Sequence, residues 1–183
     1  MLHKTLLTAA ALAFVAPAAT AANYAQTAGS TLNFSGKYQG EAFRGNFPGF
    51  ATSFAFDPAN LAGAKLDVTI PLATATAGNP DYDSELRGAS FFNSKGFPQA
   101  RYTATKFRAL GGNKFAADGT LSLHGVNKPV TLTFTWTAGA KPVLAGSAVV
   151  KRLDFGVGGG DWADTSVIPN EIAVATRVVF VAK

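Results

Sequence analysis

Apolar and polar residues alternate with a period of two through most of this chain. The pattern is clearest in Val130-Thr131-Leu132-Thr133-Phe134-Thr135-Trp136, where every even position is apolar and every odd one is threonine. Such alternation marks a β-strand with one wet face. The same parity recurs in Lys65-Leu66-Asp67-Val68-Thr69-Ile70, in Phe50-Ala51-Thr52-Ser53-Phe54-Ala55-Phe56 and in Gly119-Thr120-Leu121-Ser122-Leu123-His124. Residues 31–38, 100–108, 143–151 and 171–181 read as further strands, which brings the expected number to about eight. Turn chemistry separates them at Asp57-Pro58, Gly111-Gly112-Asn113, His124-Gly125-Val126-Asn127 and Ala138-Gly139.

Only residues 83–92 resemble a helix, a turn or two long, with Asp83 or Ser84 as the expected cap. Residues 156–164, with glycines at 156, 158, 159 and 160, read as a flexible loop. They lack the strand-glycine-helix context of a phosphate cradle. Eight antiparallel strands with one polar face form either a sandwich or a closed barrel. Closure removes exposed edges, so the expectation is an all-β, eight-stranded antiparallel β-barrel with one short helix. A barrel of that size either fills with its own side chains or holds one small ligand.

Residues 1–21 read as a cleavable signal peptide: Lys4 supplies the charged start, residues 6–15 the apolar core and Ala19-Thr20-Ala21 the small-residue cleavage site. The apolar run is too short to span a membrane, so the expectation is export to the periplasm and one domain over residues 22–183. The chain has no cysteine, which rules out disulfides and leaves packing and ladder hydrogen bonds to hold the exported domain. The formal charge of +5 comes from scattered lysines and arginines rather than from one basic run. It reads as a solubilising surface.

Catalytic chemistry has little to draw on. Once the leader and His3 are removed, His124 is the only histidine, and it sits in an expected hairpin turn, where a role in the turn outweighs one as general base. One histidine cannot build a zinc or copper site. Asp81, Asp83 and Glu85 lie beside Asn79 but lack the glycine and distal glutamate of a calcium loop; helix capping accounts for them. Asp154, Asp161, Asp164 and Glu171 are too dispersed to pair as acid and base. The expectation is therefore no enzyme, no metal and no cofactor.

What the chain does have is phenylalanine, 15 in all. Parity, together with the family resemblance carried by the motifs that follow, selects a candidate ligand wall: Phe34, Phe50, Phe54, Leu66, Val68, Ile70, Phe91, Phe92, Tyr102, Leu121, Leu123, Leu132, Phe134 and Trp136. The aromatics fall on the apolar parity of the strands and are not interleaved with lysines, which disfavours nucleic acid. They suit an elongated apolar molecule held inside the barrel.

A set of ordered motifs resembles one known family. It runs from Gly45-Asn46-Phe47 through Phe54-Ala55-Phe56-Asp57-Pro58, Asp83-Ser84-Glu85-Leu86-Arg87, Ser90-Phe91-Phe92-Asn93 and Phe97-Pro98-Gln99-Ala100-Arg101-Tyr102. It ends in 119–130, with Leu123-His124-Gly125-Val126-Asn127-Lys128-Pro129 the most specific stretch, and Arg152-Leu153-Asp154-Phe155-Gly156-Val157. The chain is similar to the YceI-like proteins, bacterial periplasmic polyisoprenoid-binding proteins of lipocalin-like fold. The resemblance implies an extended barrel whose tunnel holds an isoprenoid lipid, commonly a quinone tail, for binding, storage or transport. It also implies a link to cytochrome b561-type membrane proteins in some members. The chain departs from the family pattern at Ala28-Gly29-Ser30 and Gly36-Lys37, where histidine and serine are usual, and at Glu85, where histidine precedes Leu86. A second expectation stands beside the carrier: an interaction module with a filled barrel, docking on a membrane cytochrome or another envelope partner. Monomer and homodimer both fit the strand pattern.

Overall fold

A computed structural model describes residues 21–183. The leader expected over residues 1–21 lies, but for its last residue, outside the described residues. Ten strands run β1 (Ala22–Gln26), β2 (Thr31–Tyr38), β3 (Glu41–Asn46), β4 (Ala51–Phe56), β5 (Lys65–Pro71), β6 (Gln99–Gly111), β7 (Lys114–Leu123), β8 (Val126–Thr137), β9 (Val143–Lys151) and β10 (Glu171–Ala182). One α-helix, α1 (Pro80–Arg87), lies between β5 and β6. Among the described residues no helix is long and apolar enough to cross a membrane.

The ten pieces form eight strands of a closed antiparallel barrel. β1 and β2 are two parts of one strand, as are β3 and β4, because their pairings keep nearly one register from Ala22↔Phe56 to Tyr38↔Glu41. β10 closes the ring. It pairs with β9 along one edge and with both β1, at Gln26↔Phe180, and β2, at Thr31↔Arg177, along the other. Each remaining strand pairs with the next in sequence, so every backbone edge but one is satisfied within the ring. The exception is β3. Among the described residues its outer side meets only an isolated bridge at Asn46↔Thr76, and residues 41–45 have no strand neighbour there.

The strands follow the parity of the sequence, with two adjustments. A register shift between Ala104 and Lys106 in β6 moves the inner face from Ala100, Tyr102 and Ala104 to Phe107, as a bulge does. The tip from β7 to β8 is a two-residue turn in which His124 (φ 53°) and Gly125 (φ 77°) both have positive φ, the conformation that matches the twist of a tight hairpin. The helix begins three residues before the expected position. Asn79 is its cap, with the side-chain oxygen accepting from the Asp81 amide at 2.9 Å, and Pro80 is its first residue. It ends at Arg87, so Phe91 and Phe92 belong to the irregular segment that follows. β1 and β3 were not expected as strands: β1 is short and rich in small residues, and β3 carries a single large apolar group, Phe43.

Residues 156–164 are tied down rather than loose. Arg152, only 3% exposed, reaches into this segment and donates to five backbone carbonyls: Pro169 from Nε, Val157 and Gly158 from Nη1, and Trp162 and Ile168 from Nη2. A guanidinium has five N–H donors, and here each is matched.

Candidate functional site

The barrel interior is filled in one half and open in the other. The filled half is an aromatic layer built from inner-face residues of six strands: Tyr24, Phe54, Phe56, Phe107, Phe115, Phe134, Trp136 and Phe180. Phe54 and Phe56 stack at 4.8 Å between ring centroids, Phe56 meets Phe115 edge-on at 5.1 Å and Tyr24 meets Trp136 edge-on at 5.1 Å. Phe54, Phe56, Phe134 and Phe180 are at most 2% exposed. This layer is a floor.

Above it lies a cavity of about 420 Å³, within the range that encloses much of a drug-sized apolar ligand. Its wall is almost wholly carbon. Leu66, Val68 and Ile70 of β5, Ala100 and Tyr102 of β6, Leu121 and Leu123 of β7 and Val130 and Leu132 of β8 form one side. Leu144, Ala148 and Val150 of β9, Ile172, Val174 and Val178 of β10, and Leu32, Phe34, Phe43 and Phe47 of β2, β3 and the turn after it form the other. Phe91, Phe92, Val157 and Ile168 cover the end away from the floor, and Trp162 packs on Phe91 at 5.5 Å.

Solvent reaches the cavity where β3 has lost its strand neighbour. Glu41 and Ala42 of β3 and Tyr82 and Glu85 of α1 line the cavity and are all exposed. The opening therefore runs between β3 and α1, with two carboxylates at its rim. Helix α1 buries none of its own residues. Asp83 holds it, accepting from the Thr76 hydroxyl and the Ala77 amide, both at 2.6 Å, while Arg87 Nε donates to the Ala75 carbonyl at 3.2 Å. The Thr76 hydrogen bond is the chief reason the Asp83 carboxyl sits below its ordinary pKa.

Two buried polar groups of the wall are satisfied by backbone. The Tyr102 hydroxyl donates toward the Ala117 and Val130 carbonyls at 2.8 and 3.1 Å, and burial pushes its pKa up to about 12. Burial also lowers the pKa of Arg152, whose five carbonyl partners leave no N–H to offer a ligand. His124 stands away from the cavity. Its Nδ1 lies 3.1 Å from the Phe155 carbonyl and its ring meets Phe97 edge-on at 4.8 Å, so it joins the β7–β8 turn to the segment after β9.

Of the candidate wall residues, Phe34, Leu66, Val68, Ile70, Phe91, Phe92, Tyr102, Leu121, Leu123 and Leu132 stand on the cavity wall. Phe54, Phe134 and Trp136 instead belong to the floor, and Phe50 is buried in the turn between β3 and β4 without lining the cavity. The physical reason is that parity tells inside from outside but carries no information about height along the barrel axis. The contributions of β9 and β10 were not nominated. Their inner positions alternate with alanines and valines on the outer face, which flattens the signal.

The chain matches the model of the YceI-like domain over residues 24–180. A UPF0312 protein of Photorhabdus laumondii is 37% identical over 144 residues, 72% of this chain and 71% of that protein. Among solved structures, BcnA of Burkholderia cenocepacia is 30% identical, with 82% of this chain and 95% of that one covered at a TM-score of 0.79. A polyisoprenoid binding domain from Saccharophagus degradans, described as implicated in plant cell wall breakdown, shares the fold at 18% identity and a TM-score of 0.66, with 89% of this chain and 99% of that one covered.

Proposed function

Because this chain belongs to the YceI-like family, we propose that it is a binding protein that takes the apolar chain of an isoprenoid lipid into its barrel. The observation that carries this reading is the cavity of about 420 Å³, walled by carbon, floored by packed aromatics and open between β3 and α1. Each CH2 buried there contributes about 0.8 kcal/mol, so ten of them offer about 8 kcal/mol before ordering costs. That suffices for useful affinity without a charged contact. A covalent reaction finds little support: the one histidine among the described residues contacts a backbone carbonyl and a phenylalanine ring, away from the cavity.

Residence in the periplasm and storage or transport of the lipid are the finer parts of the proposal, supported by the leader-like residues 1–21. The choice of an isoprenoid follows from the sequence resemblance, and it is supported by the description of the S. degradans domain of the same fold as polyisoprenoid-binding. Mass spectrometry of an organic extract tests both, using protein purified from its native compartment and an equal amount of an unrelated exported protein. A stoichiometric prenyl lipid is the expected result. A clean extract, together with failure to take up added prenyl lipid, would leave the filled-barrel interaction module instead.

A further inference from the structure

Three buried side-chain polar atoms among the described residues meet no hydrogen-bond partner: Gln26 Oε1, Thr52 Oγ1 and His124 Nε2. Of these residues only Thr52 lines the cavity, and it is 8% exposed. Thr52 points inward from β4 two residues before Phe54, where the open half of the barrel meets the aromatic floor. Among the other polar groups of the wall, the Tyr102 and Thr176 hydroxyls donate to backbone carbonyls, and so does every N–H of Arg152. A hydroxyl buried among carbon with nothing to bond is costly. It is unusual for a strand position where valine has the same shape.

Gln26 falls beside it. The β1–β4 ladder ends at Tyr24↔Phe54 and Ala25↔Ser53, so Gln26 and Thr52 are the residues that come next on the two strands. Gln26 Nε2 donates to the Phe50 carbonyl at 3.0 Å, which fixes the amide and leaves Oε1 as a pure acceptor. An alcohol O–H suits this neighbourhood best, since it can accept from Thr52 and donate to an acceptor. A carbonyl can use only the Thr52 proton. A carboxylate or phosphate would bring a charge next to Oε1 in an apolar layer, after passing the Glu41 and Glu85 carboxylates at the rim.

We propose that the Thr52 hydroxyl anchors a neutral, hydroxyl-bearing end of the ligand, which enters polar end first and leads its apolar tail back toward the opening between β3 and α1. This rests on the lipid-binding reading above and adds to it an orientation and a head chemistry.

The test compares geranylgeraniol, the matching hydrocarbon without its hydroxyl, and geranylgeranyl phosphate on lipid-stripped protein, by displacement of a fluorescent apolar probe. In Thr52→Val the ratio of alcohol to hydrocarbon affinity should fall about five- to tenfold, the weight of one net hydrogen bond. Hydrocarbon affinity should hold, Thr52→Ser should restore the ratio, and the phosphate should bind more weakly than the alcohol throughout. An unchanged ratio in Thr52→Val, or equal loss of both ligands, would mean that Thr52 serves water or the fold alone and would overturn the anchor. Tighter binding of the phosphate would overturn the neutral head. Failure of wild type and variants to bind any of the three would overturn the lipid-binding reading itself.

Discussion

The ring of Phe34 lies flat on Gly45, its partner across the β2–β3 ladder, so closely that a Cβ on residue 45 would sit 2.1 Å from the ring's Cζ. The next inner pair repeats the arrangement in reverse, with Phe43 over Gly36. Two aromatic rings are thereby folded against the wall, out of the space they would otherwise occupy.

Gly45→Ala should push the Phe34 ring into the cavity. Prenyl-lipid affinity should drop at least severalfold, with a stability loss of about 1–3 kcal/mol from overpacking. Lipid titration alongside thermal denaturation separates the two effects. Unchanged affinity in a folded variant would mean that Phe34 finds room elsewhere and does not set the width of the cavity.

Phe54 meets the rings of Phe56, Trp136, Phe180, Phe134 and Phe107 within 6.1 Å. Phe54→Ala should cost about 3–5 kcal/mol and leave the preferred lipid chain length as it is. A shift toward longer chains would show that the floor yields to ligand.

Arg152→Lys supplies three donors where five carbonyls wait. The loss should be about 3 kcal/mol or more, because buried acceptors are left bare and the planar fork is gone. Limited proteolysis should cut residues 156–168 first. Equal resistance of variant and wild type would remove Arg152 as the tie of that segment.

Asp83 gives the opening a pH dependence with a definite sign. Its carboxyl is held below the ordinary value by Thr76, the Ala77 amide and Arg87, so the contribution is complete above about pH 4 and is lost as pH falls further. Release of bound lipid should quicken below about pH 4, and Asp83→Asn should quicken it at pH 7. Stopped-flow release rates that stay flat from pH 6 to pH 3 would show that α1 does not control the opening.

Eight strands were legible because alternation survives wherever large inner groups face polar outer ones, as in 130–136 and 65–70. The Asn79-Pro80 cap was in plain sight, but the acidic run that follows drew the helix start toward Asp83. Height along the barrel was not legible: Leu132 and Trp136 share a parity and a strand, yet one lines the cavity and the other seals it. Nor could spacing foretell that the glycines of 156–160 surround a buried arginine, since Arg152 finds its partners through backbone carbonyls that look alike in any sequence.

The two tryptophans, Trp136 and Trp162, fall at opposite ends of the open space, one packed in the aromatic floor and the other against Phe91 at the far cover. The molecule thus carries its own pair of optical reporters. With Trp136→Phe the remaining indole reads the cover, and with Trp162→Phe it reads the floor. Fluorescence of the two single-tryptophan proteins during lipid uptake would therefore resolve in time which end a ligand reaches first.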